Sequence, residues 1–124
     1  LAVLVAVLEK RSRLMLGGQD IYLNVVGGIK LNEPAIDLGV CCIVASSFKN
    51  VPISKDTVIM GEVGLTGEVR RISMIEKRLK EAEKLGFKRC IIPENNKKYL
   101  EEEYKIQIIG VKNLNDAMQV LGIK

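Results

Sequence analysis

Apolar residues along this chain form short runs whose period changes from segment to segment. Leu1 to Leu8 is a continuous apolar run that leads into Glu9-Lys10-Arg11, as a helix does on leaving a core. The spacing predicts a helix over 1–13, with Lys10, Arg11 and Arg13 at the end where the helix dipole favours positive charge. Gly17-Gly18 breaks it. Ile21, Leu23 and Val25 then alternate with Tyr22, Asn24 and Val26, which predicts a strand closed or bulged by Gly27-Gly28. Asn32-Glu33-Pro34 is a helix start, because Asn can cap and Pro needs no amide partner in a first turn. The helix is expected to run to about Phe48 and to be apolar around most of its circumference, as a central buried helix is.

Past Val51-Pro52, Thr57 to Met60 is β-prone. Gly61, Gly64 and Gly67 follow at three-residue steps, flanked by Val63 and Val69, and predict two short β arms around a glycine turn. Ser73-Met74-Ile75-Glu76 has the capping-box pattern, in which Ser accepts from the Glu amide and Glu returns the bond. It predicts a helix over Met74–Leu85, with a stripe of Ile75, Leu79, Ala82 and Leu85 and a stop at Gly86. Glu76–Lys80 and Lys77–Glu81 are i,i+4 pairs of the favourable order. A strand over Arg89–Ile92 ends at Pro93, a short helix is expected over Asn96–Glu103, and a strand covers Ile106–Val111. Asn113 opens a last helix with Leu114, Ala117, Met118 and Leu121 on one face. Alternating strands and helices give an α/β or α+β class with a mixed sheet packed by helices. At 124 residues this is one domain, 1–124.

Composition narrows the chemistry. There is no His, which excludes a Ser-His-Asp triad, a Cys-His pair and His-ligated metal from this chain. Cys41, Cys42 and Cys90 have no C-x-x-C spacing and an odd count, so they read as free, buried thiols of a reducing, cytoplasmic environment rather than as a zinc site or disulfide framework. The longest apolar run is far short of the roughly 20 residues of a membrane helix, so no membrane partner is expected. Aromatic residues are only 4%, which disfavours a base-stacking platform for single strands. The glycine segment is not a phosphate loop, because no G-K-[ST] follows and the strand–loop–helix order is missing.

The net charge of +4 is unevenly spread. Residues 70–98 hold ten basic and four acidic groups, more than the whole surplus. Such a segment fits a phosphate-backbone binder or, equally, a solvated surface helix of mixed charge.

Three segments together resemble a known family. Asn24-Val25-Val26-Gly27-Gly28-Ile29-Lys30-Leu31-Asn32-Glu33-Pro34-Ala35-Ile36-Asp37-Leu38, then Gly61-Glu62-Val63-Gly64-Leu65-Thr66-Gly67-Glu68-Val69-Arg70, then Arg78-Leu79-Lys80-Glu81-Ala82 with Leu85-Gly86-Phe87-Lys88 resemble the C-terminal domain of the RadA (Sms) family of bacterial DNA repair proteins. The order and spacing hold from Leu1 to the C-terminus. That domain is similar in turn to the proteolytic domain of Lon, with its ribosomal protein S5 domain 2-like fold. The resemblance implies an N-terminally truncated piece of a longer chain. Zinc and ATP with Mg would be bound by domains upstream, and no cofactor by this one.

Lon-like proteases use a Ser-Lys dyad, the Ser directly after the Pro of a D-G-P-S-A-G motif and the Lys in the helix after the glycine hairpin. Here those positions are Ala35 and Arg78, so both groups are missing. Ala has no nucleophile, and Arg keeps its proton at physiological pH. Ser73 with Lys77 has helical spacing but is better explained by capping and by the Lys77–Glu81 pair. Ser46 and Ser47 near a helix end read as structural. Asp37 in a first helical turn also reads as structural, and Glu62 and Glu68 as cross-strand or loop partners. The resemblance implies a non-catalytic module of an ATP-driven recombination motor. Such a module would help assemble a homo-oligomeric, hexameric ring and touch double-stranded or branched DNA through its phosphates. Arg70, Arg71, Lys77, Arg78, Lys80 and Lys84 are the candidate contacts. The alternatives are an active Lon-like peptidase or an oligomerisation scaffold without DNA affinity.

Overall fold

The computed structural model describes residues 34–123, and the expected helix over 1–13, the strand at 21–26 and the Asn32 cap lie outside them. Pro34–Ile36 form a single 3-10 turn that runs straight into helix α1, Asp37–Lys49. Leu38, Val40, Cys42 and Ile43 of α1 are buried, and so are Ser46 and Ser47, which makes it the buried helix its all-round apolar pattern predicts. Asn50 ends α1 in the left-handed conformation that Asn tolerates, and its N–H donates to the Ser46 carbonyl. The Ser46 hydroxyl donates to the Val51 carbonyl, a structural use of a helix-end hydroxyl.

Strands β1 (Thr57–Ile59), β4 (Arg89–Pro93) and β5 (Gln107–Val111) form a parallel sheet in the order β1-β4-β5. Val58 lies beside Cys90, and Cys90 beside Ile108. Every residue of β4 from Cys90 to Pro93 is buried, the continuous apolar run that a central parallel strand needs. Strands β2 (Glu62–Val63) and β3 (Val69–Arg70) form a separate antiparallel hairpin. The class is therefore α/β, with parallel pairing in the sheet and antiparallel pairing in the hairpin.

Helices α2 (Ile75–Lys84), α3 (Glu94–Lys97) and α4 (Leu114–Leu121) complete the described residues. One buried cluster joins α1, β4, β5 and α4 through Leu38, Ile43, Ile91, Val111 and Ala117. A second joins Ala35, Val58, Ile72, Leu79, Ala82 and Ile92, so α2 packs on the sheet beside the turn that opens α1. Each such fully buried Leu or Ile contributes about 1.5–3 kcal/mol.

The two helix C-termini with glycine behave alike. At α2, the Gly86 N–H (φ 89°) donates to the Glu83 carbonyl and the Phe87 N–H to Ala82, a Schellman ending. Leu85 itself is exposed rather than part of the buried stripe, because the helix has already turned out at its end. At α4, the Gly122 N–H (φ 73°) donates to the Gln119 carbonyl and the Ile123 N–H to Met118, while at its other end Asn113 accepts from the Asp116 N–H at 2.9 Å, the cap its sequence position predicts.

Helix α3 is shorter and earlier than the expected Asn96–Glu103 helix. The Asn96 side chain is drawn away: its Oδ1 accepts from the Ile72 N–H (2.8 Å) and its Nδ2 donates to the Ile72 carbonyl (3.0 Å). A buried amide thus pairs with residue 72 as a neighbouring strand would. Past residue 100, backbone amides are taken by carboxylates of α2, so no helix continues there.

Candidate nucleic-acid interface

The basic segment begins on the hairpin. Gly61 anchors this hairpin to the start of α1: its N–H donates to the Ala35 carbonyl and its own carbonyl accepts from the Leu38 N–H, both at 2.9 Å. A β-carbon at Gly61 would come within 3.0 Å of Val69 Cγ1 and 3.2 Å of Leu38 Cδ2, so the close approach needs glycine. On the other side the Val69 N–H donates to the Lys112 carbonyl, and the Leu114 N–H to the Gly67 carbonyl.

Arg70 stands opposite Glu62 across the hairpin, 3.6 Å from its carboxylate. Its Nε and Nη2 also donate to Glu68 Oε2, at 3.2 and 2.9 Å. Glu68 Oε1 accepts from the Thr66 hydroxyl (2.6 Å) and N–H (3.1 Å), which closes the turn. The Thr66 hydroxyl, followed by Arg70, holds the Glu68 carboxyl down at about 2. Glu62 and Glu68 are cross-strand and loop partners as expected, and Arg70 is already matched by two carboxylates.

Arg71 is exposed, and Ile72 beyond it is held by Asn96. The chain then departs from the capping box. Met74 takes the left-handed conformation (φ 60°), and α2 starts at Ile75 with no side-chain cap. Ser73 lies outside the helix, one residue too early to cap it. Its backbone carbonyl accepts from Arg78 Nε at 2.9 Å instead. Arg78 is half-buried.

On α2 the acidic residues serve the segment that leads into β5. Glu76 accepts from the Tyr104 hydroxyl and from the Glu101 N–H (3.2 Å). Glu83 accepts from the N–H groups of Lys105 and Ile106. The Tyr104 hydroxyl, then the Glu101 amide, lowers the Glu76 carboxyl, and burial followed by Glu76 raises the Tyr104 phenol. Lys80 pairs with Glu102 at 3.0 Å. The expected Glu76–Lys80 pair therefore gives way to partners outside the helix, and the expected Lys77–Glu81 ion pair does not form. Lys77, Lys80 and Lys84 fall at i, i+3 and i+7, one stripe of α2. Among the described residues, Arg71, Lys77 and Lys84 form no ion pair.

Ala35, where the Lon resemblance would put a serine, is buried in the cluster that holds Leu79 and Ala82 of α2. Asp37 beside it is buried, and its Oδ2 accepts from the Val63 N–H (3.2 Å), tying α1 to the hairpin. Among the described residues its Oδ1 has no hydrogen-bond partner, and burial raises the carboxyl above its ordinary value. Cys42 and Cys90 are buried free thiols pushed up to about 12, and burial raises Cys41 as well.

The contacts that sequence reasoning missed are the Asn96 clamp and the Glu76 and Glu83 bonds to backbone. Each joins residues more than twenty positions apart, so no local spacing announces them.

Residues 4–96 match the protein family described as "Subunit ChlI of Mg-chelatase". The DNA repair protein RadA of Bacillus subtilis (strain 168) is 53% identical over 118 residues, 95% of this chain. That of Halalkalibacterium halodurans is 51% identical over 120 residues, 97% of the chain. That of Streptococcus pneumoniae is 45% identical over 118 residues. The chain spans only 26–28% of the length of these relatives. It belongs to the family described as subunit ChlI of Mg-chelatase, and it is a relative of the DNA repair protein RadA over about a quarter of that protein's length.

Proposed function

We propose that this domain is a DNA-binding and ring-assembly module, without peptidase chemistry of its own, in a RadA-like ATP-driven motor of recombination and repair. The observation that carries the DNA reading is the set of cations Arg71, Lys77 and Lys84, at the approach to and along α2, that form no ion pair among the described residues, while Glu76 and Glu83 of that helix bond backbone elsewhere. Arg78 and Lys80 belong to the same surface, and Arg70 contributes least because Glu62 and Glu68 already match it. These groups suit phosphates rather than base edges, so the contact is with double-stranded or branched DNA without sequence preference.

The absence of peptidase chemistry rests on residue types. Position 35 is an alanine inside a packed cluster, and position 78 is an arginine whose Nε donates to the Ser73 carbonyl. ATP with Mg, and zinc, belong to other parts of a RadA-like protein, and the ring is a hexamer of such chains. A titration of two unrelated duplexes over a salt series tests the reading. Equal affinities with a steep salt slope support it, and no binding at low salt overturns it.

A further inference from the structure

We infer that the cavity at the carboxyl ends of β4 and β5 is a second phosphate site for a nucleic-acid strand, separate from the α2 stripe; this rests on the DNA-binding reading above. The cavity has a volume of about 250 Å³ and is lined by Val69, Glu94, Asn95, Lys98, Val111 and Lys112. It lies outside the carboxyl edge of parallel strands, where open α/β sheets place their ligands.

Its cations come from segments far apart in sequence. Lys98 follows α3, and Lys112 follows β5. Val69, also in the lining, is tied to Lys112, its N–H donating to the Lys112 carbonyl. Among the described residues Lys98 and Lys112 form no ion pair. Lys98 Nζ instead lies 5.4 Å from the centre of the exposed Tyr99 ring.

Gly110 of β5 faces the Glu94 and Lys97 side chains of α3, so the Glu94 carboxylate lies against the end of β5 beside the cavity. Glu94 is the one carboxylate in the lining, set against two ammonium groups and the Asn95 amide. A phosphodiester supplies the negative charge that Glu94 alone does not, and its oxygens suit the ammonium donors.

The test uses the whole chain, a labelled 30-base-pair duplex, and salt from 50 to 200 mM. Lys98→Gln with Lys112→Gln should lower the salt slope by about two units and affinity by about ten-fold at 100 mM, with thermal melting unchanged. Glu94→Gln should move the other way, raising affinity by about two- to three-fold, a gain that misfolding cannot produce. An unchanged slope in the lysine variant, or unchanged affinity in Glu94→Gln, overturns the pocket while leaving the α2 reading intact. A native chain with no affinity for the duplex overturns both.

Discussion

The hairpin and helix α2 carry similar basic side chains and treat them in opposite ways. On the hairpin, Arg70 faces Glu62 across two strands and Glu68 two residues back, and both carboxylates reach it. On α2, Glu76 and Glu83 turn outward to hold residues 101–106, and Lys77 and Lys84 are left to solvent. The hairpin, residues 61–70, carries two acids to one base, whereas α2 carries three acids to four bases. What differs is where the acids reach: Glu68 bonds the Thr66 amide and Arg70 within its own turn, whereas Glu76 and Glu83 bond amides more than twenty positions away and no ion pair to Lys77 or Lys84 forms among the described residues. Counting charges along the chain ranks Arg70 with Lys77, and the geometry separates them.

The largest effect is expected where the two regions are joined. Asn96 bonds both backbone groups of Ile72, midway between the hairpin and α2. Asn96→Ala leaves a buried donor and acceptor unpaired and should cost about 2–4 kcal/mol in urea unfolding. A loss under about 0.5 kcal/mol would mean that the hairpin and helix hold their relative places without it.

That contact also marks the limit of what the sequence revealed. The strands from Thr57, Arg89 and Gln107 and the helices α1, α2 and α4 were legible because apolar periodicity, Pro34, Asn113 and the glycine stops are local signals. So was the hairpin, from its glycines and flanking valines. The Ser73 capping box was misread because Met74 turns left-handed and starts the helix one residue late, which no propensity reports. The helix expected after Asn96 failed because its amide and the following backbone are engaged by residues more than twenty positions away. The basic segment was visible as a count, whereas its division into matched and open cations required the fold.

The next prediction concerns the tie between α1 and the hairpin. Burial raises the Asp37 carboxyl above its ordinary value of 3.8. Its contribution to stability is therefore present below that value and is lost as pH rises through the folded-state pKa. Asp37→Asn keeps an oxygen for the Val63 N–H and cannot ionise, so it should gain stability relative to the native chain between pH 3.5 and 7. A variant whose stability tracks the native chain across that range would show that the carboxyl is not strained by burial.

Glu68→Gln converts the hairpin toward the condition of α2. The Glu68 carboxyl is held at about 2 against an ordinary 4.5, so its contribution is present above 4.5 and is lost as pH falls through about 2. Substitution should remove that acid-side loss. It should also release Arg70, raising the salt slope of duplex binding by up to about one unit. An unchanged slope would show that Arg70 faces away from DNA whatever its partners.

The smallest effect is assigned to Ser73. Since its side chain does not cap α2, Ser73→Ala should change stability by no more than about 0.5 kcal/mol, the range of an ordinary surface substitution. A loss of about 1 kcal/mol in thermal or urea unfolding would restore the capping box.

The division between matched and open cations is tested most directly by one pair of salt titrations on a single duplex. Lys77→Gln with Lys84→Gln should flatten the dependence of log affinity on log salt by about two units, while Arg70→Gln should change it by less than about half a unit. Equal slopes for the two variants, or a larger change from Arg70→Gln, would contradict the account.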